Sequence, residues 1–296
     1  MIADGVLVVN KPRGPTSHDV VAEARRLLGT RAIGHAGTLD PMASGVLVLL
    51  VGEATKLAQY LTLDDKEYRA TVRFGRSTDT LDAEGQTTEE RELPPGFPDD
   101  ALLEAALEAE RARTEQIPPA FSAISVDGVR AHRRTRRGEV VTLAARPVSV
   151  RALAVVHRAR GSLTVTLAVS KGYYVRAFAR DLAARLGIPA HLSALERTAS
   201  GPYRIEEAVT WPPAVTPSLV SVADAATRAM PAVRLTADGV ARAECGKVLA
   251  SEHFETPPGD APVSAWFDTS GRLVALGRAD GEDAHRVLRG FPRRAT

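Results

Sequence analysis

The chain opens on a short apolar, β-branched run, Val6 to Val9, which reads as a buried strand and stops at the breaker-rich NKPRGP. Thr16 and Asp19 follow at capping-box spacing, with Asp in place of the usual Glu. Val20, Val21, Ala24, Leu27 and Leu28 then share one helical face ahead of Gly29, which predicts a helix stopped by that glycine. A loop from Ile33 to Ser44, punctuated by Gly34, Gly37 and Pro41, leads into GVLVLLVG at 45–52, whose continuous apolar character predicts a central strand. Helical signals return from Glu53 to Leu61. KEYRATVRF at 66–74 alternates in strand fashion, with Tyr68, Ala70, Val72 and Phe74 on one side.

STDTLDAEG at 77–85 reads as a polar turn region in which Asp79 and Asp82 are turn residues. An amphipathic helix with an acidic first turn starts near Pro98, SLTVTLAVS at 162–170 alternates as a strand, and YYVRAFARDLAARLG at 173–187 reads as a helix ended by Gly187 and Pro189. Strands and helices mix without regular βαβ repeats, so the expected class is α+β: a mixed, largely antiparallel sheet flanked by helices. The Pro-rich WPPAVTPSLV at 211–220 reads as a linker or irregular connection. Beyond it, PVSAWFD, TSG and RLVALGRA predict a hairpin in a small β-rich C-terminal domain. A chain of 296 residues exceeds the usual single-domain size, which gives a two-domain expectation, residues 1–228 and 229–296.

Composition narrows the class. With 44% hydrophobic and 25% charged residues the chain is neither disordered nor fibrous. Its start lacks the charged head and apolar core of a secretory signal, and no run approaches the length of a membrane span, so a cytoplasmic protein without membrane contact is expected. A single cysteine, Cys245, excludes an internal disulfide and a cysteine-rich metal site. The net charge of +2 hides a division along the chain: from Arg111 to Arg204 there are 17 Lys and Arg against 5 Asp and Glu, leaving 21 against 31 elsewhere. A polycationic middle points to a polyanionic partner, because Arg and Lys contacts to phosphate supply most sequence-independent affinity for nucleic acid.

Candidate chemistry sits in GHAGTLDPMASGVL at 34–47, where Asp40 is the best-placed acid in a tight loop ahead of an apolar strand. Alone, an Asp-Pro dipeptide is a turn former and His35 a capping or packing residue; neither decides anything by itself. Read whole, GHAGTLDPMASGVLVLLVGEATKLAQYL resembles the signature segment of TruB-type pseudouridine synthases. The resemblance extends to NKPRGPTSHDVV at 10–21, KEYRATVRFGRSTDTLDAEG at 66–85, EQIPPAFSAISVDG at 115–128, ARPVSV at 145–150 and SKGYYVRAFARDLA at 170–183. It covers residues 6–205 in all, and the C-terminal part is similar in turn and strand pattern to the family's small PUA-like RNA-binding domain.

That resemblance implies the pseudouridine synthase fold and isomerisation of the T-loop uridine, position fifty-five of tRNA, with Asp40 as the catalytic carboxylate. The glycosidic C–N bond must break, the base turn, and C5 bond to the sugar. An ionised carboxylate can form a covalent adduct or stabilise positive charge at the sugar. Shielding from water disfavours that anion, so a cation is needed beside it. The resemblance assigns that place to Arg176, a guanidinium able to pair bidentately with Asp40, and makes Tyr68 the tyrosine that stacks on the base. His35 matches the residue that props the space left by the flipped base; unstacking costs a few kcal/mol, which stacking of about 1–3 kcal/mol and phosphate contacts offset.

Lys11 matches the family's basic residue beside the active site, although a solvated charge is equally compatible with a lysine before proline. Tyr174 is expected to line the uracil pocket, or else to be a core tyrosine. Arg130, Arg133, Arg134, Arg136 and Arg137 align with an RNA-clamping segment at about 115–145, a loop expected to order on RNA; His132 stands there where relatives often have tyrosine. No metal, nucleotide or redox cofactor and no obligatory protein partner is implied; a monomer acting on the tRNA T-arm suffices. Two other readings stay open: a non-catalytic RNA-binding or RNA-folding module, and a different carboxylate enzyme cleaving glycosidic bonds, for which Asp79 or Asp82 would be the second acid. A synthase working in a guided ribonucleoprotein is disfavoured by the lack of long basic tails.

Overall fold

The structure, a computed structural model, describes residues 4–293 except 63, 64, 123, 127, 132, 133, 135, 136, 138, 140 and 282. The main elements, in chain order, are β1 (Gly5–Lys11), α1 (Ser17–Leu27), β2 (Ile33–His35), β3 (Ser44–Val51), β4 (Lys66–Phe74), α2 (Asp100–Arg111), β5 (Val150–Ala159), β6 (Ser162–Val169), α3 (Val175–Leu186) and β7 (Ala190–Ser200). The backbone of the main sheet runs β5-β6-β4-β7-β3-β1 and ends on the short strand Val209–Thr210. Neighbours are antiparallel except β7 with β3 and β1 with Val209–Thr210, the mixed and largely antiparallel sheet that the sequence predicts.

The two kinds of apolar pattern have two structural outcomes. On β1 and β3, Leu7, Val9, Leu47, Leu49 and Val51 belong to the apolar cluster that also holds the buried faces of α1, α2 and α3, while Val6, Val8, Val46, Val48 and Leu50 pack in a second cluster on the opposite face. Both faces are covered, so both strands read as unbroken apolar runs. On β4 and β6, Ala70, Val72, Phe74, Leu163, Val165 and Leu167 face the helices, and Arg69, Arg73 and Thr166 face water. Alternation there records one bare face.

Local chemistry sets the helix ends. At α1 the Asp19 backbone N–H donates to Thr16 Oγ1 at 3.1 Å and the Thr16 N–H donates to the Asp19 carboxylate at 2.8 Å, completing the expected capping box. Gly187, left-handed at φ 64°, ends α3. That helix starts at Val175, two residues later than the sequence predicts, because the Tyr174 N–H is taken by Gln116 Oε1 at 2.8 Å and the turn at Gly172 holds φ +82°. The segment read as a helix from Glu53 is a 3-10 turn, Gly52–Leu57, running into one α turn, Ala58–Leu61.

Of the two readings of the Pro-rich stretch, the irregular connection holds and the linker does not. WPPAVTPSLV is irregular, but it is no free linker: Trp211 is 4% exposed in the core beneath the sheet, and its indole N–H donates to Glu23 of α1 at 2.7 Å. Further along, β8 (Ala232–Arg234), β9 (Ser264–Phe267), β10 (Leu273–Ala279) and β11 (His285–Gly290) form a separate four-stranded sheet that contains the predicted hairpin, β9–β10. Its own core centres on Leu235, Phe254, Trp266 and Val274. Gly277 must be glycine there, since a Cβ would fall 1.9 Å from the Trp266 ring. On the other side Ala265, Phe267, Leu273, Leu276 and Phe291 join the cluster under β1 and β3, so the two sheets share one apolar core.

Candidate active site

Residues 37–43 form a loop between β2 and β3 that divides its side chains by polarity: Leu39, Met42 and Ala43 are buried, and Asp40 is left facing a cleft of about 1120 Å³. The backbone of this loop is held from below. The Ser17 hydroxyl, buried at the start of α1, accepts from the Leu39 N–H at 2.8 Å and donates to the Leu39 carbonyl at 3.1 Å. Arg197 of β7 donates to the carbonyls of Gly37 at 3.0 Å, Thr38 at 3.2 Å and Val46 at 2.7 Å. The Gly14 N–H donates to the Pro41 carbonyl at 2.8 Å. β7 approaches β3 so closely at Gly45 that a Cβ there would lie 2.3 Å from the Arg197 carbonyl, and Gly45 has φ +103°.

Lys11 adds to this support. It is 0% exposed, which rules out the solvated-charge reading, and it does not line the cleft. Its ammonium donates to the carbonyls of Pro12 and Pro15, both at 2.8 Å, and lies 3.5 Å from that of Pro41. Burial pulls it from 10.5 to about 8, against the opposing charges of Glu84 and Asp40.

The cleft brings Asp40, Tyr68, Tyr174 and Arg176 together. Tyr68 comes from β4 and Arg176 from the first turn of α3, a helix without a side-chain N-cap, so the positive end of its dipole lies at the cleft wall. Arg176 Nε is 2.8 Å from Asp40 Oδ2, but the N–H is not aligned on that oxygen, so the contact is ionic rather than a directed hydrogen bond. The expected bidentate fork is not formed: Nη1 donates to the Thr80 carbonyl and Nη2 to the Phe121 carbonyl, each at 3.0 Å. One N–H of each Nη is turned to a backbone carbonyl, and only Nε approaches the Asp40 carboxylate. Asp40 remains 36% exposed and open to a substrate.

Asp82, read from the sequence as a turn residue, belongs to this arrangement. It is 7% exposed with Oδ2 3.6 Å from Arg176 Nε, and its Oδ1 accepts from Thr80 Oγ1 at 2.6 Å and the Glu84 N–H at 3.1 Å. Arg176 Nε therefore has two carboxylates beside it, one accessible and one buried. The Tyr174 phenol is shifted up by burial and then by the Asp40 charge, which keeps it protonated and a donor. Burial, followed by Asp82, also shifts Glu84 up.

His35 lies beside the cleft on β2, its ring edge-to-face with His18 at 5.5 Å; His18, which the sequence reading passed over, is the exposed partner that lines the cavity. Burial, then the charges of His18 and Arg197, shift His35 down, so its ring is neutral at pH 7. Of the predicted arginine cluster, Arg130 lies on the short strand Val129–Arg130, Arg134 pairs with Glu139 at 2.6 Å, and Arg137 is exposed. Arg133, Arg136 and the neighbouring His132 lie outside the described residues. A second cavity, of about 770 Å³ around Arg76 and His191, shares no lining residue with the first and gathers none of the predicted site.

Residues 25–175 match the family described as TruB family pseudouridylate synthase, N terminal domain. Over 284 residues the chain is 44% identical to tRNA pseudouridine synthase B of Thermobifida fusca, covering 93% of this chain and 94% of that one. It is 45% identical over 288 residues to tRNA pseudouridine synthase B of Cutibacterium acnes, covering 95% of each. Among solved structures, a chain of a Cbf5-Nop10-Gar1 complex superposes with a TM-score of 0.75 at 24% identity, over 98% of this chain and 85% of that one, a likeness of fold.

Proposed function

The chain belongs to the TruB family of pseudouridylate synthases, and from that premise we propose that it isomerises the T-loop uridine at position fifty-five of tRNA, with Asp40 as the catalytic carboxylate. The observation that carries this reading is the contact between Arg176 and an accessible Asp40 in a cleft that also holds Tyr68. The target nucleotide leaves the T-loop stack, the neutral His35 ring with His18 fills or props the vacated space, and the base lies against Tyr68. Asp40 meets the developing positive charge at C1′ as the C1′–N1 bond breaks. The base then turns, C5 bonds to C1′, the C5 proton leaves, and N1 gains a proton. The reaction is an isomerisation with no net change in composition.

Arg176 supplies the positive charge beside Asp40, and Tyr174 lines the base pocket as a protonated phenol. The basic middle segment, with Arg130, Arg133, Arg134, Arg136 and Arg137, clamps the T-arm by charge. Residues 1–228 form the catalytic domain and 229–296 a PUA-like RNA-binding domain docked onto it through the shared core. The protein works in the cytoplasm as a monomer, without cofactor or protein partner; no helix among the described residues is long and apolar enough to cross a membrane. Against the glycosidase alternative, Asp82 lines the cleft at 7% exposure with its carboxylate already engaged by Thr80 Oγ1, the Glu84 N–H and Arg176.

The test is pseudouridine mapping on an unmodified tRNA transcript incubated with the protein alone. Product is expected at the T-loop uridine and lost when cytidine replaces it. Binding without product in the wild-type protein would return the chain to the class of RNA-binding modules.

A further inference from the structure

Arg197 is 1% exposed, and among the described residues its partners are all backbone carbonyls: Val46 through Nε, Thr38 through Nη1 and Gly37 through Nη2. Keeping a cation in such a place is expensive, and a strand position in a core is ordinarily filled by an apolar side chain of similar volume. The guanidinium touches both ends of the segment that carries Asp40, since Gly37 and Thr38 enter the loop and Val46 leaves it on β3. In register, Arg197 lies opposite Tyr68 on β4 and opposite Gly45 on β3. One residue thus joins the strand bearing the tyrosine to the loop bearing the carboxylate. It also lies within electrostatic reach of Lys11 and His35.

We propose that Arg197 is a positioning residue for the isomerisation: its planar fork fixes the Asp40 loop in register with Tyr68 while its charge remains beneath the loop. The proposal rests on the pseudouridine synthase reading above. A well-placed carboxylate contributes to the reacting state far more than to RNA affinity, because small displacements of a reacting group reduce rate steeply. Lysine keeps the charge, but one ammonium cannot span carbonyls on both sides of the loop. Glutamine loses the charge and keeps two donors.

The experiment compares full-length wild type, Arg197→Lys and Arg197→Gln for fold by near-ultraviolet circular dichroism, tRNA Kd by filter binding, and single-turnover pseudouridine formation at saturating enzyme. Expected are folded variants that bind tRNA within about threefold of wild type and react about 100-fold or more slowly, with Lys retaining more activity than Gln. Overturning results are folded variants with a wild-type rate, a rate loss matched by an equal loss of tRNA affinity, or a lysine variant that does not fold, since each would leave Arg197 a structural residue only. A wild-type protein that binds tRNA without making pseudouridine would sink the parent reading instead, and the wild-type arm separates the two failures.

Discussion

Arg176 meets Asp40 through one nitrogen, Nε at 2.8 Å, while its other two nitrogens are fixed on the carbonyls of Thr80 and Phe121. The backbone fixes the guanidinium, and the guanidinium places its charge beside the carboxylate. Lysine's single ammonium cannot occupy the three separated positions from which the guanidinium nitrogens reach Thr80, Phe121 and Asp40. Arg176→Lys is expected to slow single-turnover pseudouridine formation by about 100-fold or more, in the range for losing one preorganised electrostatic contact, with tRNA binding little changed. An equal loss of rate and affinity would mean that Arg176 serves RNA binding instead.

Asp82 stabilises the same guanidinium from the buried side and ties the Thr80–Glu84 turn through Oδ1. Removing one member of a buried charge pair typically destabilises by about 3–5 kcal/mol. Asp82→Ala is expected to lower urea-unfolding stability on that scale and abolish most activity. Asp82→Asn, which keeps the turn acceptor, should retain the fold and lose rate. An Asp82→Asn protein with wild-type kinetics would remove Asp82 from the site.

Lys11 gives a pH dependence of defined sign. Its pKa is about 8 in the folded protein and 10.5 as the ordinary value, so between these pH values the unfolded chain binds a proton that the folded chain does not. Stability from this group therefore rises with pH across that window, by up to about 3 kcal/mol. Urea unfolding of wild type against Lys11→Met from pH 7 to 10.5 should show their difference moving in favour of wild type above pH 8. A difference that is flat with pH would contradict the burial argument.

The shared core predicts cooperativity. Phe267 and Leu276 of the C-terminal sheet pack in the same cluster as Val8 and Val48 of the main sheet. Calorimetry should give one transition, and Leu276→Ala should lower all of it, by the about 2–5 kcal/mol usual for such a truncation. A separate early transition for the C-terminal unit would show that the two sheets fold independently.

Trp211 carries the same logic at the segment read as a linker. Its ring is buried and its N–H bonded to Glu23, so Trp211→Ala is expected to destabilise by about 3–5 kcal/mol in thermal or urea unfolding. An unchanged melting temperature would restore the linker reading.

What was legible in the sequence was local or repetitive. Continuous apolar runs marked β1 and β3 because both of their faces are covered, and alternation marked β4 and β6 because one is not. The Thr16–Asp19 box is contained within four residues and was found whole. Asp40 stood out only through the long signature around it, since an Asp-Pro turn has no chemistry of its own. The parts missed depend on distant partners: Arg197 bonds Gly37 across 160 positions, and Trp211 bonds Glu23 across 188. Asp82 was visible as a carboxylate, but the Gly-flanked polar string around it gives no sign that the fold buries it against Arg176. Likewise the bidentate geometry expected of Arg176 failed because Thr80 and Phe121 supply carbonyls that no sequence pattern announces.

The central claim is that Asp40 does the chemistry rather than the binding. Asp40→Asn keeps the side-chain shape and removes the charge, so the most direct measurement is single-turnover pseudouridine formation on unmodified tRNA by this variant beside its tRNA Kd. The account predicts wild-type affinity within about threefold and no pseudouridine above background; an Asp40→Asn protein that forms pseudouridine at the wild-type rate would contradict it.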